Sequence, residues 1–143
     1  MNDCILSKRW FLKSALSYLG TPYIWGGDDP SGFDCSGFVV ECLKTAGFLS
    51  ENEDYTADGL LHKYKDYLIK YPREGALIFR LNDKDHAEHV AICLDHQFKI
   101  EANGGNSQTT TLFSSWHDNA FVKIRPLYFN NKSHRVVYLF GDY

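Results

Sequence analysis

Apolar residues at helical spacing open the chain: Trp10, Phe11, Ala15, Tyr18 and Leu19 predict a helix that Ser7 caps and Gly20-Thr21-Pro22 ends. A second apolar run, Phe38 to Leu43, predicts a buried helix from Cys35 to Ala46, closed by Gly47 in the position just past a helix end. Thr56 is placed to cap a third, running to about Tyr67 with Leu60, Leu61, Tyr64 and Leu68 on one side. Between the first two, Tyr23 to Phe33 is dense in glycine and turn residues and reads as a loop that delivers the chain to Asp34. After Pro72 the pattern changes to short runs rich in strand formers. Strands are expected at Ala76 to Leu81, Glu88 to Leu94, Phe98 to Ala102, Phe121 to Pro126 and Val136 to Phe140, with Asp95-His96-Gln97 as a hairpin loop. Asn103 to Thr111 is polar and flexible in composition. Helices first and a meander of strands afterwards indicate an α+β domain, an antiparallel sheet of about five strands packed on N-terminal helices.

Length and composition set bounds on this picture. At 143 residues, 44% hydrophobic and 15% aromatic, residues 1–143 form one domain with a proper core, and disorder is excluded. The net charge of −3, with acids and bases interspersed, gives no basic stripe, so no nucleic-acid partner is expected. No run approaches membrane-spanning length, so no membrane partner is expected either. Lys8, Arg9 and Lys13 interrupt the apolar residues of the first segment, which therefore does not read as a signal peptide, and synthesis in the cytoplasm is expected.

Four cysteines raise the question of disulfides and metals. Cys35 and Cys42 stand about 10 Å apart along a helix, beyond the roughly 7 Å reach of a disulfide. No C-x-x-C spacing is present. His86-Ala87-Glu88-His89 offers two ligands but no third in obvious register, so neither a metal nor another cofactor is expected. Cys4, Cys42 and Cys93 read as inert packing thiols, Cys93 within the apolar run Val90 to Leu94.

Cys35 is different. It lies between a turn-forming acid, Asp34, and a buried helix, and Ser36-Gly37 give it little steric cover. Backbone N–H groups and the dipole at a helix N-terminus favour thiolate, the nucleophilic form. A thiolate nucleophile needs an imidazole to take its proton and later return one to the leaving group. His89, at the head of a buried strand where a side chain can emerge at a sheet rim, is the best candidate; His62, His117 and His134 lie in polar segments. Glu101, on the expected neighbouring strand, is placed to orient that ring by accepting its Nδ1 proton, with Asn103 and Asn106 as reserve candidates.

These residues carry a resemblance. Gly20-Thr21-Pro22-Tyr23-Ile24-Trp25-Gly26-Gly27, Gly32-Phe33-Asp34-Cys35-Ser36-Gly37-Phe38, Gly75 to Phe79, His89-Val90-Ala91-Ile92 and Ile100-Glu101-Ala102 follow the order and spacing of the NlpC family of papain-like cell-wall cysteine peptidases. The chain resembles that family from about Ser14 to Pro126. The resemblance implies a papain-like fold in which Cys35 is the nucleophile, His89 the general base and acid, and Glu101 the third polar residue. It also implies that the Tyr23 hydroxyl joins the Cys35 N–H in binding the oxyanion. Asp34 and Ser36 match positions that bind a free peptide amine in some members; locally they also suit a helix cap and a first-turn hydroxyl. The sequence departs from the family in two places. The third residue is usually histidine, sometimes asparagine or glutamine, whereas glutamate adds a negative charge near the thiolate. The usual Gly-Asp opening of the first strand is Gly75-Ala76.

The activity implied is hydrolysis of an amide in peptidoglycan stem peptides, between D-glutamate and the diamino acid, with stem peptides or muropeptides as partners. An amidase or acyltransferase on the same scaffold, or an inactive wall-binding or virion structural protein, are the alternatives. A wall substrate beside a chain without a visible export signal is met by a phage lysin or tail component, a toxin injected into a competitor, or a cytosolic recycling enzyme; a lone catalytic domain without a wall-binding module favours the phage reading.

Overall fold

The computed structural model describes residues 2–29 and 31–141, with side chains from Leu6 to Gly27 and from Ser31 to Gly141. Helix α1 spans Asn2–Ser17 and α2 spans Cys35–Thr45. Helix α1 thus begins ahead of the expected Ser7 cap. Between them, Asp28–Asp29 (β1) and Gly32–Phe33 (β2) form a two-stranded antiparallel ribbon where an unbroken loop was expected. Thr56 does cap α3 by accepting from Gly59 N, but α3 covers only Ala57–Lys63, and Lys65–Tyr67 tightens into a 3₁₀ turn.

The remaining elements are β3 (Leu68–Ile69), β4 (Leu77–Leu81), β5 (Ala87–Cys93), β6 (Phe98–Asn103), α4 (Leu112–His117), β7 (Phe121–Pro126) and β8 (His134–Val137). They make one antiparallel sheet of six strands, ordered β3-β8-β4-β5-β6-β7, rather than about five. The added strand is the two-residue β3, which pairs with β8. Strand β8 overlaps the expected Val136–Phe140 segment but begins earlier, so His134 sits in a strand and not in a solvated loop. Helix α4 was not expected; Thr111 and Ser114 cap it reciprocally.

Burial explains why β5 and α2 form the centre. Val90, Ala91, Ile92 and Cys93 are all buried, and β5 pairs on both sides, with Phe79 opposite Val90 and Ile100 opposite Ile92. Helix α2 packs on β5 and β6 through an apolar body in which Phe38, Val39, Cys42 and Leu43 are fully buried. It ends in a two-bond cap: Phe48 N donates to Leu43 O and Gly47 N to Lys44 O, with Gly47 at φ +86°. Glycine takes that left-handed conformation without the penalty a Cβ imposes. The sheet is therefore a platform that fixes α2, and with it the start of α2.

Candidate active site

The start of α2 is held by Asp34. Its Oδ1 accepts from Gly37 N at 2.7 Å and its Oδ2 from Gly26 N at 3.1 Å, so one carboxylate both caps the helix and ties down the preceding loop. Ser36 is buried and donates to Asp34 Oδ1 at 3.3 Å. Burial, and the charge of Asp54, push the Asp34 carboxyl above its ordinary value even against these bonds. Gly37 allows the loop to come this close, because a Cβ there would lie 2.0 Å from Gly27 O. Cys35 follows as the first helical residue, half-buried, while Cys42 and Cys93 are fully buried and their thiols are pushed up to about 12 by that burial. The side chain of Cys4 lies outside the described residues.

His89 enters from β5 next to an irregularity: Arg80 is opposite His89 and Leu81 opposite Ala87, so Glu88 is the extra residue of a bulge. Bulges re-aim side chains, and this one sits directly before the imidazole. His89 Nε2 is 2.8 Å from Glu101 Oε1, and the Cys35 thiol is the ring's other side-chain partner. Glu101 therefore takes Nε2, not the expected Nδ1, and Nδ1 is the nitrogen left for the sulfur. Burial works against a charged His89, but the bonds and charges of Cys35 and Glu101 outweigh it and raise the ring to about 9.

Glu101 has no exposed surface. Burial disfavours its charge, yet the hydrogen bond and charge of His89, the Asn103 amide and the Lys99 ammonium bring it down to about 2. Its Oε1 also meets Lys99 Nζ at 2.9 Å, and its Oε2 accepts from Asn103 Nδ2 at 2.5 Å with Arg125 Nε 3.9 Å away. Asn103 thus joins the site through the carboxylate. Asn106 does not; its side chain closes its own turn by accepting from Gln108 N. Lys99 was missed, although strand alternation puts Lys99, Glu101 and Asn103 on one face of β6 and could have found it.

Tyr23 is buried and lines the same cleft. Its backbone is pinned by Tyr23 N donating to Ala120 O and by a bridge to Phe33. Burial, then the nearby Cys35 and Asp34, raise its hydroxyl far above the ordinary phenol value, so it stays a donor. Gly105 packs on the ring: a Cβ there would lie 2.0 Å from Tyr23 Cδ1. The Asn103 to Thr111 segment, expected to be flexible, is tied down, with Trp25 N donating to Thr109 O and Thr109 Oγ1 to Asp118 Oδ2.

Together Tyr23, Cys35 and His89 open on a cleft of about 360 Å³ whose walls include Trp25, Arg80, Glu88 and Gly105. Among the described residues, no three His, Cys, Asp or Glu side chains converge to hold a metal. No helix among them is long and apolar enough to cross a membrane.

The NlpC/P60 family model matches residues 20–126, and the chain belongs to that family, with its papain-like fold. It is 30% identical over 107 residues to dipeptidyl-peptidase 6 of Lysinibacillus sphaericus, covering 74% of this chain and 36% of that protein. It is 32% identical over 111 residues to the bifunctional muramidase/DL-endopeptidase CwlT of Bacillus subtilis, covering 75% of this chain and 33% of that protein. The chain therefore spans about a third of the length of each of these relatives. In three dimensions it is similar to an NlpC/P60 family protein from Bacillus cereus, with a TM-score of 0.70 and 21% identity over 94% of this chain and 40% of that one. That likeness establishes the fold.

Proposed function

We propose that the chain is a cysteine endopeptidase that hydrolyses an amide in peptidoglycan stem peptides, the bond between D-glutamate and the diamino acid. The observation that carries this reading is the continuous chain from Cys35 and His89, which line an open cleft, to the buried Glu101 behind them. The names of relatives support the substrate class, among them a probable peptidoglycan endopeptidase, LytE, from Bacillus subtilis.

In this reading the Cys35 thiolate attacks the scissile carbonyl carbon and the C=O electrons move to oxygen. The Cys35 backbone N–H, which the first turn of a helix leaves without an intrahelical acceptor, and the Tyr23 hydroxyl stabilise that oxyanion. The His89 imidazolium protonates the departing amine, the C–N bond breaks, and a thioester to Cys35 remains. Neutral His89 then takes a proton from water as it attacks the thioester, and returns it to the sulfur as the acid leaves. Glu101 holds the ring throughout. Asp34 and Ser36 have a second role in binding a free amine on the substrate, beside the cap that Asp34 makes and the hydroxyl that Ser36 donates to it.

The test uses purified sacculi and mass spectrometry of the products. The wild-type chain is expected to release fragments with a new diamino-acid amine, and Cys35→Ala to fold normally and release none. Turnover by Cys35→Ala would falsify the assignment; products with a new amine at the start of the stem peptide would make the chain an amidase.

A further inference from the structure

We propose that Lys99 is a positioning residue for the Cys35–His89 pair, its ammonium cancelling the charge of the Glu101 carboxylate that orients the ring. The proposal rests on the endopeptidase reading for its functional consequence. It starts from one shared atom: Glu101 Oε1 is 2.8 Å from His89 Nε2 and 2.9 Å from Lys99 Nζ.

A carboxylate behind a catalytic imidazole has two opposed effects. It holds the ring charged and oriented, which the nucleophile needs. It also sets a negative charge one imidazole away from a thiolate, and it strengthens the ring's hold on the proton that the leaving amine must receive. A neutral amide or imidazole in the same place brings neither penalty. In this chain the penalty falls on a carboxylate that is fully buried, where water screens nothing.

Lys99 meets the requirement for relief. Its side chain is 19% exposed and touches the very oxygen that binds His89. Arg125 is a poorer candidate, 49% exposed and 3.9 Å from the other oxygen. Strand geometry fixes the arrangement, because residues two apart on β6 share a face and Lys99 and Glu101 are so spaced. With Lys99 present, Glu101 keeps its two hydrogen-bonding oxygens and its grip on Nε2 while the net charge behind the ring is reduced. The lysine therefore offsets, two residues earlier on the same strand, the charge that a buried glutamate sets behind the ring.

The test compares wild type, K99M, K99R, E101Q and E101Q/K99M. Iodoacetamide alkylation of Cys35 is followed against pH by mass spectrometry of its peptide, and kcat/KM is measured on muropeptides. Removing a positive charge raises nearby titrations, so K99M is expected to shift the acid limb of the alkylation profile up by about one pH unit and to lower kcat/KM about tenfold. K99R is expected to restore both. E101Q/K99M should match E101Q, since no carboxylate charge is left to cancel. If K99M does not fold, K99Q, which keeps a donor without the charge, takes its place. An unshifted K99M profile, or losses that multiply in the double variant, overturns the proposal. Alkylation needs no substrate: a wild-type chain that leaves sacculi uncut sinks the endopeptidase reading while the Lys99 coupling is still read.

Discussion

Glu101 Oε1 stands 2.8 Å from Nε2 of His89, and that contact sets which nitrogen meets the sulfur. Because the bond runs between a charged ring and a buried carboxylate, it reaches beyond catalysis into stability. The folded state raises His89 to about 9, so its contribution is complete below the ordinary value of 6.5 and is lost as pH climbs through 9. The folded state lowers Glu101 to about 2, so its contribution is complete above the ordinary value of 4.5 and is lost as pH falls toward 2. Both contributions are full only between these two ordinary values.

Glu101→Gln is therefore expected to change the shape of the stability curve. Exchanging a buried ion pair for a neutral pair moves the absolute stability in either direction, so the quantity to follow is the wild-type minus variant difference. Urea unfolding at pH 3, 5.5 and 9 should give the largest difference at 5.5 and smaller ones on both sides. A difference that does not vary with pH contradicts the assigned charges.

Gly105 and Tyr23 form a second coupled pair, since a methyl group on the glycine would occupy the space of the ring. Tyr23→Phe removes the proposed oxyanion donor and is expected to lower kcat about a hundredfold, with little change in KM. Gly105→Ala should give a similar loss by displacing the ring, and the double variant should be no worse than either single one. Full activity in Gly105→Ala would show that the tyrosine does not depend on this contact.

Asp34 separates structure from recognition. Asp34→Ala removes the cap of α2 and its tie to Gly26, and is expected to cost about 1 kcal/mol in chemical denaturation. Asp34→Asn keeps a capping oxygen and should recover most of that stability. If the carboxylate also binds the substrate amine, Asp34→Asn will raise KM for muropeptides with a free amine and leave N-acetylated ones unchanged. Equal effects on both would leave Asp34 as a cap alone.

Local chemistry wrote much of this protein in readable form. Asp34 before an apolar run, Gly47 after it, and the buried run from Val90 to Cys93 each act on their own neighbours, so the cysteine helix and the central strand could be located from sequence. The order of motifs likewise brought out Cys35, His89, Glu101 and Tyr23. What could not be read depended on partners far along the chain. Strand β3 has two residues and exists because β8 offers it a ladder. The choice of Nε2 over Nδ1 follows from how a bulge at Glu88 aims His89 across to β6. Gly105 looks like any loop glycine until the fold sets Tyr23 against it. Sequence by itself determined which residues are candidates for the chemistry, because type and local periodicity act over a few positions. Tertiary structure alone decided how they face one another and which charges offset the buried carboxylate, because contacts between distant segments have no local signature.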